Sequence, residues 1–445
     1  MKRKLLSIIA ASILAVALIP GVAFAAGETC DGGSECSHEA AIGTAHYATV
    51  LAAVNDANSG DSIKLLKDVS MPKAYFGAKA GQSLTLDLNG KTLTRTWQEW
   101  GGDNETTQCV IYNQGTLTIK DSSSSKSGKI QGYSDTSGNA GWNQDFRGAA
   151  ISNASGATLN IEGGTITRGD VNSFGYYTVI NKGTINMSGG LIVNDSCSSA
   201  MVRNMPGGSV FNMTGGKLSQ KRFQTLKSEN GSTINICGGT LESDDRTLQC
   251  YGTATISGGT LNGDIQIPAS GNLSITNGTL NGEMYGKDGK EGTVSVSGGS
   301  FSQPVPDRFC AADYVPTQNA DGSYSVVVPV EYSITVNSGT ATVNGAEGSV
   351  ALEGDAIVIT ADSAPEGKVF DKWEITGLDT SNLDLSKETI NFDMPASDVV
   401  ATATYVAAAE AATSTGDHTN LMLPIVMAIL ALGAIATLMV SRKQD

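Results

Sequence analysis

The sequence predicts an all-β protein in which short strands stack as turns of a solenoid, followed by a smaller β unit and a membrane-spanning helix. Three observations support this: a repeat in the middle of the chain, alternating apolar residues after it, and long apolar segments only at the two ends. The 445 residues include 53 Gly, with 16% charged and 6% aromatic side chains. Such a chain is too long for one small domain and too apolar for wholesale disorder.

The repeat has one plan: an apolar-polar-apolar triplet, one further residue, a Gly-Gly pair or its equivalent, a variable residue and a large apolar residue. One copy contains Leu159-Asn160-Ile161, Gly163-Gly164 and Ile166. Later triplets begin at Ile185, Phe211, Ile234, Ala254, Leu273 and Val294, and looser early ones begin at Leu84 and Leu117. The Gly pairs recur about every 19 to 26 residues, which is the length of one solenoid turn.

Each triplet is too short to bury its apolar pair alone. Because its residues alternate, we expect a strand whose apolar pair stacks on the equivalent pair of the next turn. The Gly-Gly pair is expected to supply positive φ for a sharp turn. An Asn before several triplets can hydrogen-bond its equivalent in adjacent turns. The predicted Asn ladder comprises Asn113, Asn153, Asn181, Asn204 and Asn230.

The ends of such a stack need caps, because they would otherwise expose unpaired strand edges and apolar residues. Val50, Leu51 and Val54 predict a helix over residues 47–58, inside a cap region of residues 27–83. Residues 309–328 predict a closing hairpin. Together with the repeat, these features resemble the right-handed parallel β-helix of the pectate-lyase-like superfamily over residues 84–328. That superfamily includes polysaccharide lyases and hydrolases, so the resemblance raises the question of catalysis.

Residues 329–406 predict a separate small all-β domain. Alternating stretches begin at Tyr332 and Ala356, and aromatic residues follow at Phe370, Trp373 and Phe392. The segment resembles the internalin-type bacterial surface repeat, in which Phe and Trp pack the core. That resemblance implies a spacer or binding module and specifies no ligand.

The two ends of the chain predict export and anchoring. Residues 1–26 have a basic start, an apolar run and a small-x-small site, as in a signal peptide. Residues 421–440 carry no charge and could span a bilayer once, with the basic tail 441–445 inside. In the linker 407–420, Thr415 and Gly416 resemble the cleavage point of the LPxTG sorting signal of Gram-positive surface proteins, although Ala412 and Thr413 replace Leu and Pro. A plain single-span anchor is the alternative.

Charge and residue counts exclude several kinds of function. With 29 basic and 44 acidic residues, the chain carries a net charge of −15, which disfavours nucleic acid as a partner. The middle of the chain has no His, which excludes His-dependent nucleophile triads there. Cys30 and Cys36 could form a disulfide, or could hold zinc together with His38 and His46. A disulfide or reduced thiols is the favoured interpretation, and neither a metal nor a cofactor is predicted.

One column of charged residues could support catalysis. Counted from each Gly pair, Asp170, Arg222 and Asp245 fall at equivalent positions, and Asp195 falls near that position in its own turn. Neighbouring turns are ~4.8 Å apart, so two such carboxylates could approach the separation that glycosidases use. These residues occupy variable loops, where charged side chains are usually only solvated. Catalysis is therefore the less favoured interpretation.

The outward residues of the triplets could instead bind a ligand. Asn160, Asn186, Asn212 and Asn235 form a predicted row of amides that could hydrogen-bond a sugar or a partner's polar surface. The alternative is that the row only keeps the sheet soluble. The sequence as a whole predicts an extracellular, membrane- or wall-anchored adhesin for a glycan or a surface protein. A polysaccharide lyase or glycosidase and a passive stalk are the alternatives, and peptidoglycan is a possible covalent partner through sortase.

Overall fold

The structure is a computed structural model, and it describes residues 36–72, 74–96, 109–132, 149–168, 177–194 and 200–409. The fold is all-β, and the chain divides between Pro329 and Val330 into two compact units. We call them the stacked unit and the C-terminal unit. Among the described residues, no helix has the length and apolar character needed to cross a bilayer. The predicted signal peptide, sorting motif and membrane span lie outside the described residues.

The stacked unit begins with a hairpin and a short helix. Its first elements are β1 (Ala40–Ile42), β2 (Ala45–Tyr47), α1 (Val50–Asp56), β3 (Ser62–Leu65), β4 (Val69–Met71), β5 (Ser83–Asp87) and β6 (Thr92–Arg95). β1 pairs antiparallel with both β2 and β3. The helix begins later than predicted because Thr49 caps it, its Oγ1 accepting from the backbone N–H of Ala52 at 3.1 Å. Its buried face is Val50, Ala53 and Val54, so Ala53 takes the place predicted for Leu51.

The middle of the stacked unit contributes three strands per turn. They are β7 (Ile111–Asn113), β8 (Thr116–Lys120), β9 (Lys129–Gln131), β10 (Ile151–Asn153), β11 (Thr158–Ile161), β12 (Thr165–Thr167), β13 (Val179–Asn181), β14 (Thr184–Met187), β15 (Leu191–Val193), β16 (Val202–Asn204), β17 (Val210–Met213), β18 (Lys217–Gln220) and β19 (Leu226–Ser228). From β7 to β17, each strand pairs in parallel with the strand three places further along, as β11 does with β14, and β18 and β19 both pair with β20. Three parallel ladders result, and we number them in the order of β10, β11 and β12.

The later turns join their ladders into longer strands. These turns contain β20 (Thr233–Cys250), β21 (Thr253–Gln266), β22 (Asn272–Asn281), β23 (Met284–Tyr285), β24 (Thr293–Val296), β25 (Ser300–Phe301), the 3₁₀ turn Asp307–Phe309, β26 (Val315–Gln318) and β27 (Tyr324–Val327). β26 and β27 pair antiparallel, and β27 also pairs with β25. This hairpin lies inside the predicted closing segment.

The predicted stacking of the triplets is confirmed. Leu159 pairs with Ile185, Ile185 with Phe211 and Phe211 with Ile234, all in the second ladder. The second apolar residues of these triplets, Ile161, Met187, Met213 and Ile236, belong to one continuous buried core. The early triplets starting at Leu84 and Leu117 lie in the same ladder. This long sheet with parallel stretches fits a β-helix.

The two glycines of each pair have different tasks. In the pair Gly215-Gly216, Gly216 has a φ of +81°, as predicted. Gly215 does not, but a Cβ on it would lie 2.4 Å from the carbonyl oxygen of Ser188 in the preceding turn. The first glycine is therefore required for close approach between turns rather than for an unusual φ. Gly189 and Gly238 meet the preceding turn in the same way.

The predicted Asn ladder forms inside the stacked unit over four turns. Asn113 donates to Asn153 at 2.8 Å, Asn153 to Asn181 at 2.9 Å and Asn181 to Asn204 at 2.6 Å. All four side chains are fully buried. The prediction for Asn230 was wrong, because Ser228 pairs with Asn204 in the next turn. Asn230 lies two residues after Ser228 and is exposed.

The C-terminal unit contains two four-stranded sheets. Its strands are β28 (Glu331–Asn337), β29 (Gly339–Val343), β30 (Ala346–Glu347), β31 (Val350–Leu352), β32 (Ala356–Ala361), β33 (Lys368–Thr376), β34 (Thr389–Asp393) and β35 (Val399–Ala407). The sheets have the orders β31-β28-β35-β33 and β30-β29-β32-β34. Trp373 and Phe392 are buried in the core, whereas Phe370 is half-buried beside Trp373.

Candidate functional site

The outer side of the third ladder carries a groove of about 690 Å³. One outward residue from each of five successive turns lines it, and the residues pair in register: Val193, Ser219, Glu242, Asn262 and Asn281. We call this set the third-ladder column. The groove is completed by neighbours later in the same turns, namely Gln220, Lys221, Ser243, Asp244 and Gly263. Most of these side chains are polar.

Hydrogen bonds between turns hold the third-ladder column in place. Glu242 Oε1 accepts from Ser219 Oγ at 2.8 Å and pairs with Lys217 Nζ at 2.7 Å. Asn281 Nδ2 donates to Asn262 Oδ1 at 2.8 Å. The hydrogen bond from Lys217, followed by that from Ser219, holds the pKa of Glu242 below its usual value. Glu242 is therefore an anion, whereas a glycosidase general acid needs a raised pKa.

The structure describes two of the four candidate catalytic residues. Arg222 is exposed in the bend after β18, and its backbone oxygen accepts from the Gln220 side chain. Asp245 forms a two-point ion pair with Arg246, at 3.1 and 3.0 Å. No hydrogen bond or ion pair joins Arg222 to Asp245 in the described part of the chain. The other two candidates, Asp170 and Asp195, lie outside the described residues, so the predicted cluster stays a prediction.

The predicted row of amides lies on the outer side of the second ladder. The Nδ2 of each Asn donates to the Oδ1 of the Asn in the preceding turn. Asn186 donates to Asn160 at 3.0 Å, Asn212 to Asn186 at 2.8 Å and Asn235 to Asn212 at 2.8 Å. Each of these bonds occupies one amide hydrogen and one oxygen lone pair. The row therefore stabilises itself, and it has less hydrogen-bonding capacity left for a ligand than its composition suggests.

Sequence reasoning missed the third-ladder column. Its members follow directly after buried apolar residues, as Ser219 follows Leu218 and Glu242 follows Leu241. That position is a usable signal, because the residue after an inward-facing one in a strand faces outward. The side chains there differ from turn to turn, so they form no constant motif that a repeat search would detect.

A cluster of charged side chains forms ion pairs on the outer side of the first ladder. Glu229 Oε1 lies 2.8 Å from both Arg203 Nε and Lys227 Nζ. The Arg203 guanidinium also lies 5.0 Å from the centre of the Tyr177 ring. Burial opposes ionisation of Glu229, but Lys227 and Arg203 outweigh it and hold its pKa below the usual value. The cluster thus favours the folded state wherever Glu229 is charged.

We expect Glu229→Gln to lower the free energy of unfolding by about 2 kcal/mol at neutral pH. Because the folded pKa is depressed, this contribution is present above the unfolded value of 4.5 and is lost as pH falls through the folded pKa. Urea unfolding of wild type and variant at pH 7 and pH 3, followed by circular dichroism, should show the difference shrinking in acid. Glu291→Gln, which breaks the exposed pair with Arg308, is the control and should have almost no effect. An equal loss at both pH values would contradict this account.

The C-terminal unit is the part of the chain that matches a known protein family. Residues 332–409 match the family model of the divergent InlB B-repeat domain. This confirms the predicted resemblance for that segment, and the domain is typical of bacterial surface proteins. No curated protein and no solved structure matches the chain.

Proposed function

We propose that this protein is a bacterial surface protein that holds a glycan non-covalently in the groove of the third-ladder column. The groove is the observation that carries the proposal, because it runs across five turns and its lining is polar throughout most of its length. The match of the C-terminal unit to a bacterial repeat supports location at the surface.

The chemistry of the groove favours a neutral glycan. Ser, Glu and Asn recur along the groove at a rise of ~4.8 Å per turn, so an extended polymer parallel to the stack would meet donors and acceptors repeatedly. Among the charged lining residues that the structure describes, Glu242 and Asp244 outnumber Lys221, which disfavours a polyuronate. Large aromatic anchors, which typically carry protein–protein binding energy, do not occur among the described residues that line the groove.

The remaining parts of the proposal come from the sequence. The signal peptide at residues 1–26 would export the chain, and the segment at 421–440 would hold it at the membrane. Sortase cleavage between Thr415 and Gly416 would instead link it to peptidoglycan. The stacked unit would be a right-handed β-helix of the pectate-lyase-like kind that binds its glycan. The lowered pKa of Glu242 disfavours that residue as the general acid of a glycosidase, and Arg246 already pairs with Asp245.

Two matched arginine substitutions test the groove. Asn262 lies in the third-ladder column and Asn212 in the amide row, and each accepts one hydrogen bond from the Asn of the next turn. The full chain, solubilised in mild detergent, is applied to immobilised neutral and uronic-acid polysaccharides. We expect retention on a neutral polysaccharide, a loss of about tenfold or more in affinity for Asn262→Arg, and no loss for Asn212→Arg.

Three results would overturn the proposal. If the chain were retained on none of the polysaccharides, a glycan would not be its ligand. A loss confined to Asn212→Arg would move binding to the amide row. Release of shortened sugars by the wild-type chain would replace binding with catalysis.

A further inference from the structure

We infer that Cys36, His38 and His46 form a zinc-binding site in the N-terminal cap of the stacked unit. The sequence left this set open between a disulfide and a metal site. In the structure, Cys36 Sγ lies 3.3 Å from His38 Nδ1 and 3.2 Å from His46 Nδ1. One ligand atom from each of the three residues lies within 4.8 Å of the other two.

The fold brings these residues together through the first hairpin. His46 lies in β2 and pairs with Ala41 of β1, while Cys36 and His38 lie just before β1. The turn between the strands uses Gly43 at a φ of +58°, which suits a tight hairpin. A change of hairpin register by one residue would turn the His46 side chain to the other face, so the strand pairing itself fixes this ligand.

Backbone contacts hold the segment before β1 in position. The N–H of Glu39 donates to the carbonyl of Tyr47 at 3.0 Å, and the carbonyl of Glu39 accepts from the N–H of Leu66 at 2.9 Å. Lys67 Nζ donates to the carbonyl of Ser37 at 2.5 Å. The Glu39 carboxylate is occupied by the N–H of Val50 at 2.9 Å. The ligand-bearing segment is thus preorganised, and the Glu39 carboxylate serves the helix instead.

The two distances from the Cys36 sulfur to the imidazole nitrogens are close to those of a tetrahedral zinc site. Zn–S bonds of about 2.3 Å and Zn–N bonds of about 2.0–2.1 Å place sulfur and nitrogen about 3.6 Å apart across a tetrahedral angle. The observed separations are a few tenths of an ångström shorter, so slight opening of the cluster would admit the ion. The three side chains are half-buried, which leaves them accessible to an ion from solvent. Thiolate and imidazole ligands favour zinc over calcium and magnesium, which prefer oxygen ligands.

Zinc at this site would join the chain before β1 to β2. Both strands of the hairpin contribute to the core that α1 covers, since Ala40, Tyr47 and Val50 belong to the same buried cluster. Binding to the folded cap alone would therefore raise the stability of the cap. The inference does not depend on the groove or on a glycan.

The test is zinc content and cobalt spectroscopy of the full chain. Protein purified with zinc present should contain about one zinc per chain by elemental analysis after dialysis. Replacement by Co²⁺ should give the visible absorption of a tetrahedral site and a thiolate charge-transfer band. Cys36→Ser should abolish that band, and His46→Ala should lower zinc affinity by at least about tenfold. Cys237→Ser, which alters an exposed cysteine in a later turn, should leave the zinc content, both cobalt absorptions and the zinc affinity unchanged.

Folding and oxidation are controlled in the same experiment. The circular dichroism of each variant shows whether the strands of the stack persist, and Cys36→Ser should retain them because its side chain is only half-buried and is not part of the apolar core. A Cys30–Cys36 disulfide in the oxidised chain, found by mass spectrometry together with no zinc uptake, would overturn the inference. Zinc bound equally by wild type and Cys36→Ser would also overturn it.

Discussion

Replacing Gly215 with Ala should destabilise the stacked unit by about 4 kcal/mol, one of the two largest effects that we expect. The added Cβ would lie 2.4 Å from the carbonyl oxygen of Ser188 and 3.2 Å from its carbonyl carbon. Both atoms are backbone and belong to the preceding turn, so neither can move aside by rotating a side chain. Relief requires the two turns to separate, which disturbs the parallel pairing on both sides. Urea unfolding followed by circular dichroism measures the loss.

Gly156→Ala is the matched control for that substitution. Unlike Gly215, Gly156 has a positive φ, of +77°, and a Cβ on it would have no atom within 4 Å. We expect a cost of about 1–2 kcal/mol, which is the conformational penalty alone. If the two variants lost equal stability, close approach between turns would not be the reason for the first glycine of each pair.

Replacing Asn181 with Leu should also cost about 4 kcal/mol. The Asn181 side chain accepts from Asn153 and from the N–H of Gly183, and it donates to Asn204 and to the carbonyl of Val210. Leucine has a similar size, but it leaves several buried polar groups without partners, each at ~1–3 kcal/mol. Asparagine is thus retained in an otherwise apolar interior because the ladder satisfies backbone groups at the corner of each turn.

Asn186→Leu is the control for the ladder. Asn186 makes similar amide contacts with Asn160 and Asn212, but it lies on the outer side of the sheet, where water can replace lost partners. We expect less than about 1 kcal/mol. The midpoint of urea unfolding compares the two variants. Equal shifts would show that the stacking of amides, rather than their burial, determines the loss of stability.

Much of the stacked unit could be predicted because its constraints are local. In a triplet such as Ile185-Asn186-Met187, the alternation of apolar and polar residues indicates which side chains face inward and which face outward. The glycines mark where each turn bends. The failure at Asn230 has a physical cause. The inward corner of that turn is filled by Ser228, whose hydroxyl bonds Ser232 Oγ at 2.9 Å. A shorter side chain that finds its own partner can replace an Asn, and spacing alone does not reveal this.

The candidate sites were harder to predict because they depend on contacts between turns or strands. Asp245 looked available in the sequence, yet its own neighbour Arg246 binds it. Asn262 and Glu242 are unremarkable in sequence, and only the pairing of β20 with β21 places them side by side in one groove. For Cys36 and His46 the spacing matched no standard motif, because a hairpin rather than a helix brings them together.

The register of the second ladder is the same from turn to turn, so whole turns can be added or removed. Thr184 pairs with Val210 and Met187 with Met213, so residues one turn apart have equivalent environments. Duplication or loss of a whole turn by recombination within the coding region would leave the first helix and the final hairpin with the neighbours that they already have. A lineage could therefore lengthen or shorten the protein in steps of one turn, without redesigning either end.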